Sequence, residues 1–155
     1  MTLAAQAAPA TTVILVRHGE KVAGAPAMND DPALTPEGEG RAQRLATMLR
    51  FSGVTTIYTT PFTRTRNTAA PVAAMLKVTP VEVKPGPTFA ADIAAKIRAL
   101  PAGSTVLVVG HSNTTPNVIK ALGIPNPPAI DDATEFDNLF VVTLAEEPRL
   151  LVLKY

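Results

Sequence analysis

Both histidines of this 155-residue chain come just after an apolar run rich in β-branched residues. Residues 13–16 lead through one arginine into His18, and residues 106–109 lead through one glycine into His111. An unbroken run of this kind is typical of a strand that is buried on both faces. Because ligands bind at the carboxyl ends of the strands in an open parallel sheet, we predict that both imidazoles lie at one rim of such a sheet.

Two arginines are expected at the same rim. Arg17 precedes His18 directly, and Arg64 comes shortly after the strand predicted at residues 54–59. Guanidinium groups match phosphate oxygens in a bidentate manner, and a neutral imidazole can attack phosphorus and carry the phosphoryl group covalently. Gly19 would let the backbone turn sharply and come close to a ligand. These residue types favour phosphoryl transfer on an anionic substrate.

The elements that must position these residues alternate between strand and helix. The predicted strands cover residues 13–16, 54–59, 81–83, 106–109, 139–143 and 150–153, the last two as a hairpin-like pair; the predicted helices begin at Thr35, Thr63, Thr88 and Asn113. Pro71 lies inside the second helix and is expected to kink or restart it. This alternation predicts an α/β fold with a mostly parallel, doubly wound sheet and right-handed crossovers.

The amino-acid composition excludes several classes of protein. The hydrophobic fraction of 46% and the charged fraction of 17% are typical of one globular domain, and the net charge of +1 gives no case for nucleic acid as a partner. The chain has no cysteine, which excludes disulfides, Cys-ligated metals and thiol catalysis. No window of the sequence approaches the apolar length of a transmembrane helix.

The first residues differ in character from the rest. Residues 1–11 are small and apolar with Ala-x-Ala steps, so they are expected to be a disordered tail or the remnant of a signal peptide. This favours an exported or periplasmic location over a cytoplasmic one. Residues 12–155 are expected to form a single domain, whose oligomeric state the sequence does not indicate.

Four motifs in order carry a resemblance to a known family. They are Arg-His-Gly-Glu at residues 17–20, Leu-Thr-Pro-Glu-Gly at residues 34–38, residues 57–64 leading to Asn-Thr-Ala at residues 67–69, and Gly-His-Ser at residues 110–112. The chain resembles the histidine phosphatase superfamily, the phosphoglycerate mutase-like group, from about residue 13 to residue 142. Its short length is similar to that of the small phosphohistidine phosphatases.

The resemblance implies roles for individual residues. It implies that His18 is the phosphorylated nucleophile and that Arg17, Arg64 and His111 form the phosphate pocket. It also implies a three-layer α/β/α sandwich with no cofactor and no metal. The substrate would be a phosphorylated small molecule or a phosphoprotein. Further contacts with the substrate or its phosphate are expected from Gly19, Glu20, Lys21, Ser112 and Asn113.

The proton donor is where the chain departs from the mutases, because no Glu lies between Lys84 and His111. Asp92, in the first turn of a helix, is the nearest carboxylate, although it would equally suit the helix dipole. The competing candidates are Asp30, Asp31, Glu20 and cationic His111. Glu135 and Asp137 could also reach the rim, but polar loop positions are the simpler interpretation. Asn113 is expected to cap the helix that follows His111.

Three functions remain open on this basis. The first is a metal-independent phosphatase that hydrolyses phosphomonoesters or phosphoramidates through phospho-His18. The second is a metal-dependent hydrolase that uses the two histidines with carboxylates, although two arginines would repel a cation. The third is a phosphate-binding module without turnover.

Overall fold

The computed structural model of the protein describes residues 7–23 and 31–155. The strands are β1 Thr11–Arg17, β2 Val54–Thr59, β3 Val81–Glu82, β4 Thr105–Gly110, β5 Asn138–Leu144 and β6 Arg149–Lys154; the helices are α1 Pro36–Leu49, α2 Thr63–Leu76, α3 Phe89–Arg98 and α4 Thr114–Ala121. No helix among the described residues is long and apolar enough to span a membrane.

The strands form one sheet in the order β3-β2-β4-β1-β5-β6. Strands β3, β2, β4 and β1 are parallel neighbours, while β5 runs antiparallel to β1 and pairs with β6 as a hairpin. The mostly parallel sheet and the closing hairpin are therefore confirmed. The strands that precede the two histidines are direct neighbours, with Arg17 opposite Gly110 in the register.

The sheet separates two apolar cores, which makes the domain a three-layer sandwich. Alternate residues of β1 face opposite sides: Val13 and Leu15 join one core, and Ile14 and Val16 join the other. The first core is covered by α3 and α4, and the second by α1 and α2. A strand with apolar contacts on both faces is what the unbroken β-branched run predicted.

Two helix starts were predicted from capping residues, with different outcomes. Thr35 caps α1 as expected, because its hydroxyl accepts a hydrogen bond from the Gly38 amide at 3.1 Å. Asn113 stands at the cap position of α4, but its side chain makes no capping hydrogen bond. Helix α2 runs through Pro71 as one element, so the predicted restart does not occur.

The N-terminal boundary is described only in part. Residues 7–10 have no regular structure and are exposed, and β1 begins at Thr11, one residue before the expected start of the domain. Most of the predicted tail lies outside the described residues. Its origin as a signal-peptide remnant stays a prediction.

Candidate active site

The imidazole of His18 is buried just beyond the end of β1, with 3% of its surface exposed. Its backbone amide donates to the Gly110 carbonyl at 2.9 Å, and its Nδ1 atom lies 2.7 Å from the Gly19 carbonyl oxygen. Because a carbonyl oxygen only accepts, Nδ1 must carry the proton of the neutral ring. The tautomer is thereby fixed, and Nε2 keeps its lone pair.

His18 is neutral over the physiological range. Burial, with further contributions from His111, Arg17 and Arg64, lowers its pKa to about 3, against the opposing effect of the Gly19 hydrogen bond. A protonated ring has no free lone pair, so the low pKa keeps the nucleophilic form available.

His111 faces His18 across the rim. The two ring centroids are 5.3 Å apart, and the rings meet edge to face at 67°. Burial, with smaller contributions from Arg64 and Arg17, lowers the pKa of His111 to about 4, although Asp132 acts in the opposite direction. The predicted meeting of both histidines at one rim is confirmed.

Arg64, in the first turn of α2, is the arginine that faces the cleft. Its guanidinium lies 4.4 Å from the centre of the Phe62 ring, which in turn meets the His111 ring edge to face. Its Nε–H is buried without a hydrogen-bond partner among the described residues, and its guanidinium lies 3.8 Å from the Asp31 carboxylate. Arg64 therefore keeps donors that are free to bind an anion.

Arg17 is held differently from what its place beside His18 suggested. Its guanidinium donates to the backbone carbonyls of Asp131, Asp132 and Glu135 at 2.8 to 3.2 Å and to the Asp132 carboxylate at 2.8 Å. It also lies 3.9 Å from the centre of the Phe136 ring. Both terminal nitrogens are thus used to hold the loop of residues 131–136, which we call the arginine loop. The buried Nε–H has no partner in the part of the chain that the structure describes.

An open cleft of about 550 Å³ lies above His18. Its wall is formed by His18, Lys21, Phe62, Arg64, Pro85, His111, Ser112, Asn113, Thr114 and Asp132. The predicted contacts Lys21, Ser112 and Asn113 are therefore at the cleft. Gly19, Glu20 and Arg17 are not part of its wall.

Asp132 is the carboxylate that the sequence analysis missed. It accepts hydrogen bonds from the Ser112 hydroxyl at 2.6 Å and from Arg17 at 2.8 Å, and 81% of its side chain is exposed. The Ser112 hydrogen bond and the Arg17 charge outweigh its partial burial and lower its pKa. No other carboxylate lines the cleft among residues 7–23 and 31–155.

The carboxylates proposed from the sequence as proton donors are engaged elsewhere. Asp92 accepts a hydrogen bond from the Thr88 hydroxyl at 2.8 Å at the start of α3 and does not reach the cleft. Asp31 accepts from the amide and hydroxyl of Thr63 at 2.6 and 2.7 Å, at the start of α2. Asp30 lies outside the described residues. The placement of Asp92 favours the helix-terminus interpretation over the catalytic one.

Glu20 is turned away from the cleft by an ion pair with Arg41. Its carboxylate accepts from Arg41 Nε at 3.0 Å and from Nη2 at 2.6 Å, and both side chains are largely buried. Burial opposes ionisation of Glu20, but the Arg41 hydrogen bonds outweigh it and lower its pKa. Glu135 and Asp137 likewise pair with Lys154 near the sheet edge.

Close packing against the start of helix α1 requires a glycine at position 19. A Cβ atom on Gly19 would lie 2.9 Å from the Gly38 carbonyl oxygen, and one on Gly38 would lie 2.2 Å from that of Glu20. The start of α1 therefore rests directly on the loop that holds the nucleophile. The Gly19 amide also donates to the Thr68 hydroxyl at 2.9 Å, which ties that loop to α2.

The described residues contain no group of three or more histidine, aspartate and glutamate side chains that could hold a metal ion. The arrangement at the rim is instead two neutral imidazoles, one arginine with free donors and one carboxylate. Such a set can bind a tetrahedral anion and bring a lone pair against it.

Comparisons with known proteins agree with this class of fold. The family model described as histidine phosphatase superfamily (branch 1) matches residues 13–86. The resemblance predicted from the motifs is thereby confirmed. The curated protein sequences give no match.

Solved structures with the same fold include small bacterial proteins named SixA. The protein histidine phosphatase SixA complexed with tungstate has a TM-score of 0.72 at 23% identity, with 92% of this chain and 96% of that chain covered. SixA from Agrobacterium tumefaciens has a TM-score of 0.69 at 22% identity, covering 93% and 98%. SixA from Nakamurella multipartitia has a TM-score of 0.64 at 26% identity, covering 94% and 96%. The chain is similar to each over nearly its full length.

Proposed function

We propose that the protein is a phosphatase that hydrolyses phosphomonoesters or phosphoramidates through a covalent intermediate on His18. The observation that carries the proposal is the hydrogen bond from Nδ1 of His18 to the Gly19 carbonyl. It directs the lone pair of Nε2 to the remaining side of a buried ring at the base of the cleft. A neutral, oriented imidazole is the form that can attack phosphorus.

The reaction has two steps. In the first, Nε2 of His18 forms a bond to phosphorus, the bond from phosphorus to the leaving group breaks, and the leaving group takes up a proton. In the second, water attacks phosphorus, the bond from phosphorus to Nε2 breaks, and one proton of the water returns to the group that protonated the leaving group; inorganic phosphate and the neutral imidazole result. Arg64 has free donors beside the nucleophile and would stabilise the charge on the transferring oxygens in both steps.

The other residues of the site divide into two roles. His111, Ser112 and Asn113 line the cleft; Ser112 and Asn113 can donate to the phosphoryl oxygens, and His111 can do so when its ring carries a second proton. Arg17 acts mainly through the arginine loop, which it holds in place beneath the cleft, and its free Nε–H is its one remaining donor toward an anion.

Asp132 replaces Asp92 as the carboxylate best placed to face the leaving group. Its pKa is low in the free protein, so it is ionised at neutral pH. A phosphoryl dianion bound close to it would raise that pKa by like-charge repulsion and favour proton uptake. This supports a role for Asp132 in protonating alkoxide leaving groups.

The similarity to the SixA structures supports a substrate with a phosphoryl group. One of these proteins is described as a protein histidine phosphatase and was solved with tungstate, a tetrahedral oxyanion like phosphate. For this chain, we propose phosphorylated small molecules or phosphoproteins as substrates, and the open cleft suits either.

The test is hydrolysis of an aryl phosphate by the full chain, with and without a chelator. Its leaving group is stable without a proton, so turnover does not depend on the identity of the acid. We expect turnover that chelator leaves unchanged and that vanadate inhibits. Activity that fell with chelator and returned with a divalent ion would favour the metal-dependent hydrolase, and tight phosphate binding without turnover would favour the binding module.

A further inference from the structure

A buried hydroxyl contacts the ring of His111, outside the cleft. Thr60, the residue after β2, is fully buried, and its Oγ1 atom lies 2.9 Å from Nε2 of His111. The other ring nitrogen, Nδ1, makes no hydrogen bond to a described residue, while the ring itself lines the cleft. Beside its edge-to-face packing on His18 and Phe62, the His111 ring thus has one hydrogen bond to a described residue, and that bond lies outside the cleft.

The next residue in the chain of hydroxyls favours one direction for this hydrogen bond. Thr65 is also fully buried, and its Oγ1 lies 2.9 Å from Thr60 Oγ1 and 2.9 Å from the carbonyl oxygens of Thr60 and Phe62. Because carbonyl oxygens only accept, the Thr65 hydroxyl donates its hydrogen to one of them. The Thr60 hydroxyl can then donate to Thr65, and its own oxygen accepts from His111 Nε2–H.

We propose that Thr60, backed by Thr65, is the positioning residue of His111, and that it holds the imidazole as the Nε2–H tautomer with the Nδ1 lone pair available to the cleft. The two histidines would then carry opposite tautomers. His18 is protonated at Nδ1 because of the Gly19 carbonyl, whereas His111 is protonated at Nε2 because of Thr60.

This arrangement has a consequence for the reaction, and that part rests on the proposed function. When Nδ1 of His111 gains a proton at the cleft, its Nε2–H remains bonded to Thr60, and the bond becomes charge-assisted. The ring therefore keeps its orientation in both protonation states. At metal-binding histidines, loss of the outer hydrogen-bond partner typically costs roughly 10- to 100-fold in affinity or activity, and by analogy we expect a loss of this order in kcat/KM of Thr60→Val.

The first experiment is ¹⁵N NMR of the histidine rings in the free protein at neutral pH, which does not depend on any activity. We expect the wild-type protein and Thr60→Ser to show His111 protonated at Nε2. In Thr60→Val, the Nε2 proton should exchange with water roughly 2- to 13-fold faster, since a net hydrogen bond of typical strength is lost. Protonation at Nδ1 in the wild-type protein, or unchanged exchange in Thr60→Val, would overturn the proposal.

Thr59→Val is the matched control. Thr59 precedes Thr60 and is buried, and its hydroxyl has no hydrogen-bond partner in the described structure. The substitution makes the same change in size and polarity one position away, and we expect neither the His111 signal nor kcat/KM to change. If Thr60→Val fails to fold, Thr65→Val can be used instead, because it removes the support of the Thr60 hydroxyl. In Thr65→Val, the Nε2 proton of His111 should also exchange faster with water. Unchanged exchange in that variant would again contradict the proposal.

The kinetic arm uses the same variants. A loss in Thr60→Val that Thr60→Ser restores supports the positioning role, whereas a loss with an unaltered His111 signal would contradict it. If the wild-type protein hydrolysed no phosphate ester, the proposed function would fail while the NMR experiment would still decide the tautomer of His111.

Discussion

The imidazoles of His18 and His111 meet edge to face with their centroids 5.3 Å apart, although the two residues are far apart in the chain. This contact exists because β1 and β4 are parallel neighbours and both histidines follow the same end of the sheet. The His18 ring is buried and the His111 ring is half-buried, and loss of solvent is the main reason that both pKa values are low.

The low pKa values predict that the fold loses stability in mild acid. The unfolded chain takes up protons on its histidines near their ordinary pKa of about 6.5, while the folded protein resists until about pH 3 to 4. The free energy of unfolding should therefore fall as pH drops from about 6.5 toward 4, by up to about 1.4 kcal/mol per pH unit for each histidine.

Urea denaturation at several pH values between 7 and 4.5 would measure this slope. His18→Asn is the control, because it removes one of the two groups and should reduce the slope by about half. A free energy of unfolding that stays constant over this range would contradict the burial of neutral histidines.

The start of α1 rests on the loop that holds His18, so alanine substitutions at two glycines of this helix should change the free energy of unfolding differently. Gly38→Ala would place a Cβ atom 2.2 Å from a backbone oxygen, whereas Gly40→Ala meets only the end of the Arg44 side chain at 3.6 Å. We expect Gly38→Ala to lower the free energy of unfolding by roughly 1–3 kcal/mol or more. Gly40→Ala should raise it by roughly 0.5–1 kcal/mol, the usual gain in a helix. Equal thermal stability of the two variants would argue against this contact.

We expect substitution of Arg17 to lower mainly the stability of the fold and substitution of Arg64 to lower mainly the rate of the reaction. Arg17→Ala removes a buried guanidinium and its hydrogen bonds to the partly buried carbonyls of the arginine loop, and a hydrogen bond to a charged group is typically worth about 1.5–3 kcal/mol. Arg64→Ala removes a more accessible side chain and should leave stability within about 1 kcal/mol, while kcat falls roughly 10²- to 10³-fold. Chemical denaturation and aryl phosphate kinetics on both variants would measure the two effects. A loss of stability in Arg64→Ala with a selective loss of kcat in Arg17→Ala would contradict these roles.

Substrates with different leaving groups can show whether Asp132 or Asp92 is the proton donor. Asp132→Asn should slow hydrolysis of an alkyl phosphate much more than that of an aryl phosphate, because only the alkoxide needs a proton. Asp92→Asn is matched in chemistry and should spare both substrates, since Asp92 lies outside the cleft. A selective loss on the alkyl phosphate in Asp92→Asn would restore the assignment made from the sequence.

Much of the fold and the centre of the site could be predicted from local patterns. Apolar runs that end in a histidine gave β1 and β4, and the parallel arrangement then placed His18 and His111 together. Thr35 could be recognised as a cap because capping is a contact between residues close in sequence. Each of these inferences needs only neighbouring residues and a general rule of sheet geometry.

The rest depends on contacts between distant segments that leave no local pattern. The pairing of Glu20 with Arg41 and the hold of Arg17 on the arginine loop each join a loop to a residue far away in the chain. Asp132 comes after a proline-rich segment without periodicity, so nothing in the sequence directed it to the cleft. Asp92 was chosen by its position between two motifs, and only the fold shows that its helix places it elsewhere.

The central claim is that Nε2 of His18 carries the phosphoryl group, and trapping the intermediate tests it most directly. The protein would be mixed with an activated aryl phosphate and quenched in alkali, which preserves phosphohistidine, and the site would be read by mass spectrometry and ³¹P NMR. We expect one phosphoryl group on Nε2 of His18 in the wild-type protein and none in His18→Asn. Phosphate on another residue, or on Nδ1 of His18, would contradict the claim, as would turnover by His18→Asn at the wild-type rate.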